Sequence, residues 1–202
     1  MAEAGATSIS PMFAAIILSA GKSERMGRPK ALLRIHGRTF LENILDAISK
    51  SSISATVVVA GHHRDEIGRQ IKLRSIVFNP DYEKGMITSI QAGIRALPEA
   101  AEGAFLFLVD HPIVDPETID ALAAQAAPDR IVLPVFEGRR GHPVYFGKLI
   151  LGELLLLSPS EGANTVVRRD PARIIEVEVN SPGILIDIDT PEQYEELRAR
   201  ET

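Results

Sequence analysis

The stretch F-A-A-I-I-L-S-A-G-K-S-E-R-M-G-R-P-K, residues 13–30, decides the fold. Its first six residues are an unbroken apolar run too short for a buried helix, and Phe13–Leu18 reads as a strand covered on both faces. The run ends in a loop carrying Gly21, Gly27, Lys22, Arg25, Arg28 and Lys30, four cations in a chain of net charge −5. Strands buried on both faces belong to parallel sheets, whose ligands sit beyond the carboxyl ends of the strands. The loop 19–30 leaves the first strand at that end.

The rest of the chain repeats the pattern. Strands are expected at Ala55–Ala60, Ser75–Phe78, Phe105–Val109 and Arg130–Phe136, with an extra strand at Pro143–Phe146 and a half-exposed edge strand at Ile174–Val179. Helices are expected at Thr39–Ser49, Asp65–Ile71, Met86–Leu97, Pro116–Ala126, Leu149–Leu157 and Pro191–Arg200. Thr165–Arg169 reads as helix or loop, and Ile184–Ile188 is a short apolar run. Thr39 and Glu42 stand three apart, as in a capping box, and Pro191 suits a first helical position after Thr190. Alternating strands and helices define an α/β protein, a single-domain Rossmann-like three-layer α/β/α fold with a mostly parallel sheet and an antiparallel strand. Residues 1–12 read as a flexible N-terminal extension, and 13–202 as the domain.

Composition narrows the function. With 202 residues, 45% hydrophobic and 24% charged, the chain is long enough to bury a core without covalent staples. It has no cysteine, which excludes disulfides, thiolate metal sites and cysteine nucleophiles. Its mild acidity argues against nucleic-acid binding. No apolar run reaches the roughly 20 residues of a membrane helix, and the first residues do not read as a signal peptide. A cytoplasmic protein is the expectation.

The loop suits an anion. Gly21 and Gly27 let backbone N–H groups approach without a Cβ in the way. Arg25 forks onto two oxygens, whereas Lys30 is a point charge on a flexible stem. A polyphosphate is the natural occupant, although a glycine-rich basic loop is as often plain solvated surface. It is neither a Walker loop, since Arg28-Pro29 follows the second glycine, nor a dinucleotide fingerprint. Pro29 disfavours a helix starting at Gly27. Asp110 ends a strand, where a carboxylate holds Mg²⁺ or simply bonds its own loop. Ser89, at the start of a helix, caps it or reads a base. Asn79-Pro80 is a turn. A histidine such as His142 is more often structural than functional, but Arg139 and Arg140 beside it suggest an anion-binding loop. His62 and His63 follow a strand end and are minor candidates for the pocket rim.

Five motifs occur in order: LSAGKSERMGRPK at 18–30; NP at 79–80 with GM at 85–86 and SIQAG at 89–93; LVDHP at 108–112; GRRGHP at 138–143; and DIDTPE at 187–192. Together they resemble the nucleotidyltransferases of the sugar-nucleotide-transferase type. The nearest likeness is to the MobA-like molybdenum-cofactor enzymes and their cytidylyltransferase branch. The resemblance implies transfer of CMP from CTP to the phosphate of molybdopterin, with release of pyrophosphate. It places the nucleotide on Leu18, Ser19, Ala20, Gly21, Lys22, Ser23, Arg25, Lys30, Asn79, Ser89 and Asp110. Arg25, Lys30 and Asp110 would be catalytic. Mg²⁺ would sit on Asp110 and Asp189, with Asp187 the alternative second ligand. The phosphate-bearing pterin would lie along Arg140, Gly141, His142 and Pro143, and a molybdoenzyme partner is implied. Ala20, where guanylyl-transferring relatives carry glycine, favours CTP. His111 departs from the small or apolar residue common at its position. A guanylyl, sugar-phosphate or alcohol-phosphate nucleotidyltransferase of the same fold, and a non-catalytic molybdenum-cofactor-binding chaperone, are the competing readings.

Overall fold

The computed structural model describes residues 12–72 and 76–200. In chain order the elements are β1 (Phe13–Ser19), β2 (Arg34–Ile35), β3 (Arg38–Thr39), α1 (Phe40–Ser49), β4 (Ile53–Ala60), α2 (Arg64–Gln70), β5 (Ile76–Phe78), α3 (Met86–Arg95), β6 (Gly103–Leu108) and α4 (Pro116–Ala123). There follow β7 (Ile131–Phe136), β8 (Arg139–Arg140), β9 (Val144–Gly147), α5 (Lys148–Leu155), α6 (Asn164–Arg169), β10 (Ile174–Glu178) and α7 (Pro191–Ala199). Among the described residues an eight-stranded sheet runs β10-β7-β9-β6-β1-β4-β5, with β8 paired to β7. The β1–β4, β1–β6, β4–β5 and β10–β7 pairs are parallel; β9 lies antiparallel between β6 and β7.

The two faces of β1 explain its unbroken apolar sequence. Successive side chains of a strand point to opposite faces. Phe13, Ala15 and Ile17 pack with Leu41, Ile44 and Ile48 of α1, Ile67 of α2, and Ile119 and Leu122 of α4. Ala14, Ile16 and Leu18 pack with Ile87 and Ile90 of α3, Ile150 and Leu154 of α5, and Val166 of α6. Each fully buried side chain of this size contributes roughly 1.5–3 kcal/mol, so the central strand is fixed from both sides. The three-layer α/β/α arrangement with its antiparallel strand is thus present.

A third, smaller core sits beside the carboxyl ends of the strands. Met26, Leu33, Ile35 and Phe40 meet Ile188, Tyr194 and Leu197 there. The Tyr194 hydroxyl donates to the Arg34 carbonyl at 2.9 Å and accepts from the Arg34 N–H at 3.2 Å. This cluster joins the loop after β1 to the last segment of the chain, and it is what assembles the site.

Several boundaries differ from expectation. The Thr39 capping box is formed, with the Thr39 hydroxyl accepting from the Glu42 N–H at 3.2 Å and the Glu42 carboxylate accepting from the Thr39 N–H at 2.8 Å. Thr190 makes a second box with Gln193, and Pro191 holds a first-turn position as expected. α3 stops at Arg95 and α4 at Ala123, each shorter than the apolar spacing suggested. Residues 165–169 are helical, within α6. The short apolar run 184–188 begins within a 3₁₀ turn at Pro182–Leu185. Ser75 and residues 1–11 of the expected extension lie outside the described residues. Met12, assigned to that extension, already accepts a hydrogen bond from the Glu102 N–H at 3.0 Å.

Candidate active site

A crevice of about 560 Å³ opens at the carboxyl ends of β1 and β6. Leu18, Ser19, Ala20, Gly21, Lys22, Ser23, Arg25 and Lys30 line it, as do Ser89, Asp110 and Asp189. The loop is shaped by two short 3₁₀ turns, Glu24–Met26 and Lys30–Leu32, on either side of Pro29. Ser23 and Gly27 both take left-handed backbone conformations, at φ 53° and 65°. Only Gly27 does so without a side-chain penalty; at Ser23 the strain is of order 1–2 kcal/mol. The Ser23 carbonyl accepts from Met26 at 3.0 Å and Gly27 at 3.1 Å, and its hydroxyl accepts from the Lys30 N–H at 3.3 Å. One strained serine therefore folds the loop back and aims Lys30 into the crevice, while Met26 anchors it in the third core.

Lys30 is the centre of the charge network. Its Nζ donates to Asp110 Oδ2 at 3.0 Å and also to Asp189 Oδ1. Arg25 Nη2 donates to Asp189 Oδ2 at 2.8 Å. Burial pulls the Lys30 amine down, but the bond to Asp189 and the charge of Asp110 outweigh it and hold the pKa above its ordinary value. The bond from Lys30, against burial and reinforced by Arg25, holds Asp189 below the usual carboxylate range. Arg25 is largely exposed; Lys30 is nearly enclosed.

Asp187 lies on the other flank. Ligand atoms of Asp110, His111 and Asp187 all stand within 4.8 Å of one another. Burial first, and then the neighbouring Asp110 charge, raises the Asp187 carboxyl above its ordinary pKa. Two converging carboxylates whose charges oppose each other fit a divalent cation, so the donor set here suits one. Asp189, expected as the second metal ligand, is bonded by Lys30 and Arg25, while Asp187, the alternative, stands near Asp110 and His111. The reason is that the chain around buried Ile188 sends the two aspartates to different sides of Asp110.

Other expectations shift as well. Asn79 does not line the crevice. It is buried, and its amide donates to Thr88 Oγ1 and Ser89 Oγ at 2.9 Å each, fixing the start of α3 behind the pocket wall. Ser89 reaches the wall but its hydroxyl also accepts this bond. Lys22 is paired with Glu83 at 2.6 Å across the crevice mouth. Arg140 points away: its Nε donates to Glu176 Oε1 of β10 at 2.7 Å. Gly141 and Pro143 are outside the crevice lining, and a Cβ at Gly141 would stand 2.5 Å from the Ile184 carbonyl oxygen, which ties this loop to the 3₁₀ turn. His142 is nearly buried, with its ring 4.7 Å from that of His111. Burial, then the neighbouring His111, depresses its pKa to about 4.

On the far wall His63 stands where it was expected at the rim, whereas Ile67, Tyr82 and Glu83 carry no sequence signal for the site. His63, Ile67, Tyr82, Glu83 and Met86 line it. His63 accompanies Lys22 through a 2.9 Å contact between Nε2 and the Lys22 carbonyl. Gly61 marks the place in the sequence: a Cβ there would lie 2.5 Å from the Ala20 carbonyl and 2.7 Å from the Tyr82 ring.

A doubly wound sheet with cations and carboxylates converging at its carboxyl edge defines an α/β enzyme of phosphate chemistry. Residues 15–174 match the family model described as the MobA-like NTP transferase domain. The chain belongs to that family, and it is a nucleotidyltransferase acting on small-molecule substrates such as nucleoside triphosphates. It is 29% identical over 203 residues to the purine catabolism protein PucB of Bacillus subtilis (strain 168), covering 94% of this chain and 97% of that one. It is 30% identical over 198 residues to the molybdenum cofactor cytidylyltransferase of Escherichia coli (strain K12), covering 93% and 96%. The crystal structure of Rv0371c from Mycobacterium tuberculosis H37Rv superposes with a TM-score of 0.82 at 26% identity, over 94% of this chain and 98% of that one. No helix among the described residues is long and apolar enough to cross a membrane.

Proposed function

We propose that the protein transfers CMP from CTP to the phosphate of a molybdopterin-type acceptor and releases pyrophosphate. The observation that carries this reading is the convergence of Lys30 and Arg25 with Asp110 and Asp189 on one crevice beneath the Ser19-Ala20-Gly21 wall. The near full-length likeness to a cytidylyltransferase and the alanine at position 20 favour cytidine. PucB is as similar, so sequence similarity alone does not choose the acceptor.

In the proposed reaction an oxygen of the acceptor phosphate forms a bond to the α-phosphorus, and the bond from that phosphorus to the bridging oxygen breaks. The bonding pair leaves with pyrophosphate. The attacking phosphate is already anionic, so no general base is required, and catalysis rests on alignment and charge neutralisation. Arg25 and Lys30 leave Asp189 to hold the triphosphate and offset the charge that develops on the leaving end. A divalent cation, Mg²⁺ by the family resemblance, would be held by Asp110 with Asp187 and would neutralise phosphate oxygens. Gly21 brings backbone donors to the nucleotide.

The test is pyrophosphate release with each of four nucleoside triphosphates and molybdenum cofactor as acceptor. Turnover with CTP at least about tenfold above GTP is expected, a discrimination of roughly 1.4 kcal/mol. Faster turnover with GTP overturns the cytidylyl assignment. Cofactor binding with no pyrophosphate from any nucleotide would mark a carrier.

A further inference from the structure

The crevice loop is held from a corner that the transfer chemistry does not use. Gly61, His62 and His63 join β4 to α2. The Ala20 carbonyl oxygen lies so close to Gly61 that a Cβ there would stand 2.5 Å from it. Two residues on, His63 Nε2 reaches the Lys22 carbonyl oxygen at 2.9 Å, across 41 residues of sequence. A carbonyl oxygen only accepts, so Nε2 carries the hydrogen and donates. The other nitrogen, Nδ1, stands 3.7 Å from Glu66 Oε2, beyond hydrogen-bond reach. The bond to Lys22 is therefore made whether or not Nδ1 is protonated.

His63 is a firm post. The Ile67 N–H donates to its carbonyl at 3.0 Å, and Ile67 is buried. The His62 ring packs edge-on against it at 4.7 Å, and His62 is itself 3.2 Å from the Tyr82 hydroxyl. Lys22 is tied to this wall at both ends, its amine to Glu83 at 2.6 Å and its carbonyl to His63. What Lys22 leaves to the crevice is its backbone. A planar trans peptide sets each carbonyl opposite the next N–H. With the Lys22 oxygen turned to His63, the Ser23 N–H is turned away from that corner. Among the described residues it donates to no group of the protein. On the other side of Ser23 the following peptide is held as well, by Met26 and Gly27. A left-handed serine, here at φ 53°, persists only where its surroundings over-determine it. These bonds do so from both sides.

We propose that His63 is a positioning residue for the triphosphate: it sets the Lys22–Ser23 peptide so that the Ser23 N–H serves as a backbone donor to a phosphate oxygen. The inference rests on the nucleotidyltransferase reading and adds a residue to that same crevice. His63 then governs the polyphosphate part of the nucleotide, not its base.

The experiment compares wild type, His63→Asn and His63→Gln by calorimetry in Mg²⁺, with inorganic tripolyphosphate and with CTP. His63 stands at the N-cap of α2 without making a side-chain cap bond. Asparagine is a favoured residue there, so the fold is expected to hold, but its amide ends where Nδ1 stood and falls short of Lys22. Glutamine carries an amide nitrogen to about the place of Nε2. His63→Asn is expected to weaken both ligands about tenfold, the scale of one hydrogen bond, while His63→Gln stays within about threefold of wild type. Equal affinities in all three proteins overturn the proposal. So does an equal loss in both variants, which would make the ring rather than its bond the active feature. A loss with CTP but not with tripolyphosphate also overturns it and places His63 against the base. Wild type that binds neither ligand sinks the nucleotidyltransferase reading together with this one. Tripolyphosphate binding that follows the expected order, without pyrophosphate release from any nucleotide, sinks the transfer reaction and leaves the role of His63 standing.

Discussion

The backbone N–H of Ile188 donates to the carbonyl oxygen of Asp110 across 3.0 Å. Ile188 is buried in the third core, so this one bond fixes where its two neighbours go. Asp189 is carried to Lys30 and Arg25, and Asp187 to His111. Asp110 stands between them, bonded by Lys30 on one side and near Asp187 on the other.

Asp110→Asn follows from that position. The bond to Ile188 uses the backbone and survives the change, so the fold is expected to hold, with a melting temperature within about 3 °C of wild type. Loss of the carboxylate removes one acceptor of Lys30 and the ligand atom that Asp110 would offer a divalent cation. Turnover is expected to fall by about 10²-fold or more, the scale of losing one charge-stabilising group. Wild-type turnover in this variant would remove Asp110 from the mechanism.

Lys30 and Arg25 are expected to separate in their effects. The Lys30 side chain is only 11% exposed and bridges two carboxylates, so Lys30→Met strands both anions. It should lower stability by about 1–3 kcal/mol as well as reduce kcat. The Arg25 side chain is 67% exposed, and its pair with Asp189 contributes at most about 1 kcal/mol to the fold. Arg25→Ala should leave the melting temperature nearly unchanged and act on turnover and triphosphate KM. Denaturant melts beside steady-state kinetics distinguish the two. Equal destabilisation by both variants would contradict the network described.

Tyr145 supplies a pH dependence remote from the site. Burial, helped by Glu102, pushes its phenol up to about 12. Above pH 10 the unfolded chain's tyrosine releases its proton while the folded one keeps it. The unfolded state then binds fewer protons, so stability falls as pH rises from about 10 towards 12, by up to about 1.4 kcal/mol per unit. Its hydroxyl makes only a long 3.4 Å bond to the Glu102 carbonyl, so Tyr145→Phe costs less than about 1 kcal/mol at neutral pH. The difference between wild-type and Tyr145→Phe stability should shift in favour of the variant across that range. A constant difference would show that the phenol titrates normally.

What the sequence made legible was local. β1 announced itself because both of its faces are covered, and α1 because its cap and apolar stripe lie within eleven residues. The two-residue strands β2 and β3 carry no periodicity, and the core they belong to gathers residues from both ends of the chain. The motifs located the crevice but not the direction of each side chain. The family resemblance puts Asn79 at the nucleotide; its partners, Thr88 and Ser89, lie in the next helix. The same resemblance puts Arg140 with the acceptor, yet Glu176, 36 residues on, claims it. Pairings over such separations are set by strand order, which no local pattern encodes.

Base choice is the last consequence of the geometry. Ala20 is 6% exposed and lines the crevice, and its carbonyl lies against Gly61 so closely that a Cβ at Gly61 has no room. The strand end and Gly61 therefore hold the Ala20 backbone from behind, and its methyl group is the adjustable part of the wall. Ala20→Gly removes that methyl and widens the pocket without moving β1. One methyl in a binding wall is worth about 1–3 kcal/mol of discrimination. The variant is expected to lose about tenfold of its preference for CTP over GTP, chiefly by gaining GTP turnover. Competition between the two nucleotides, with products separated by chromatography, measures the ratio directly. An unchanged ratio would move base selection to the opposite wall, where Tyr82 and His63 stand.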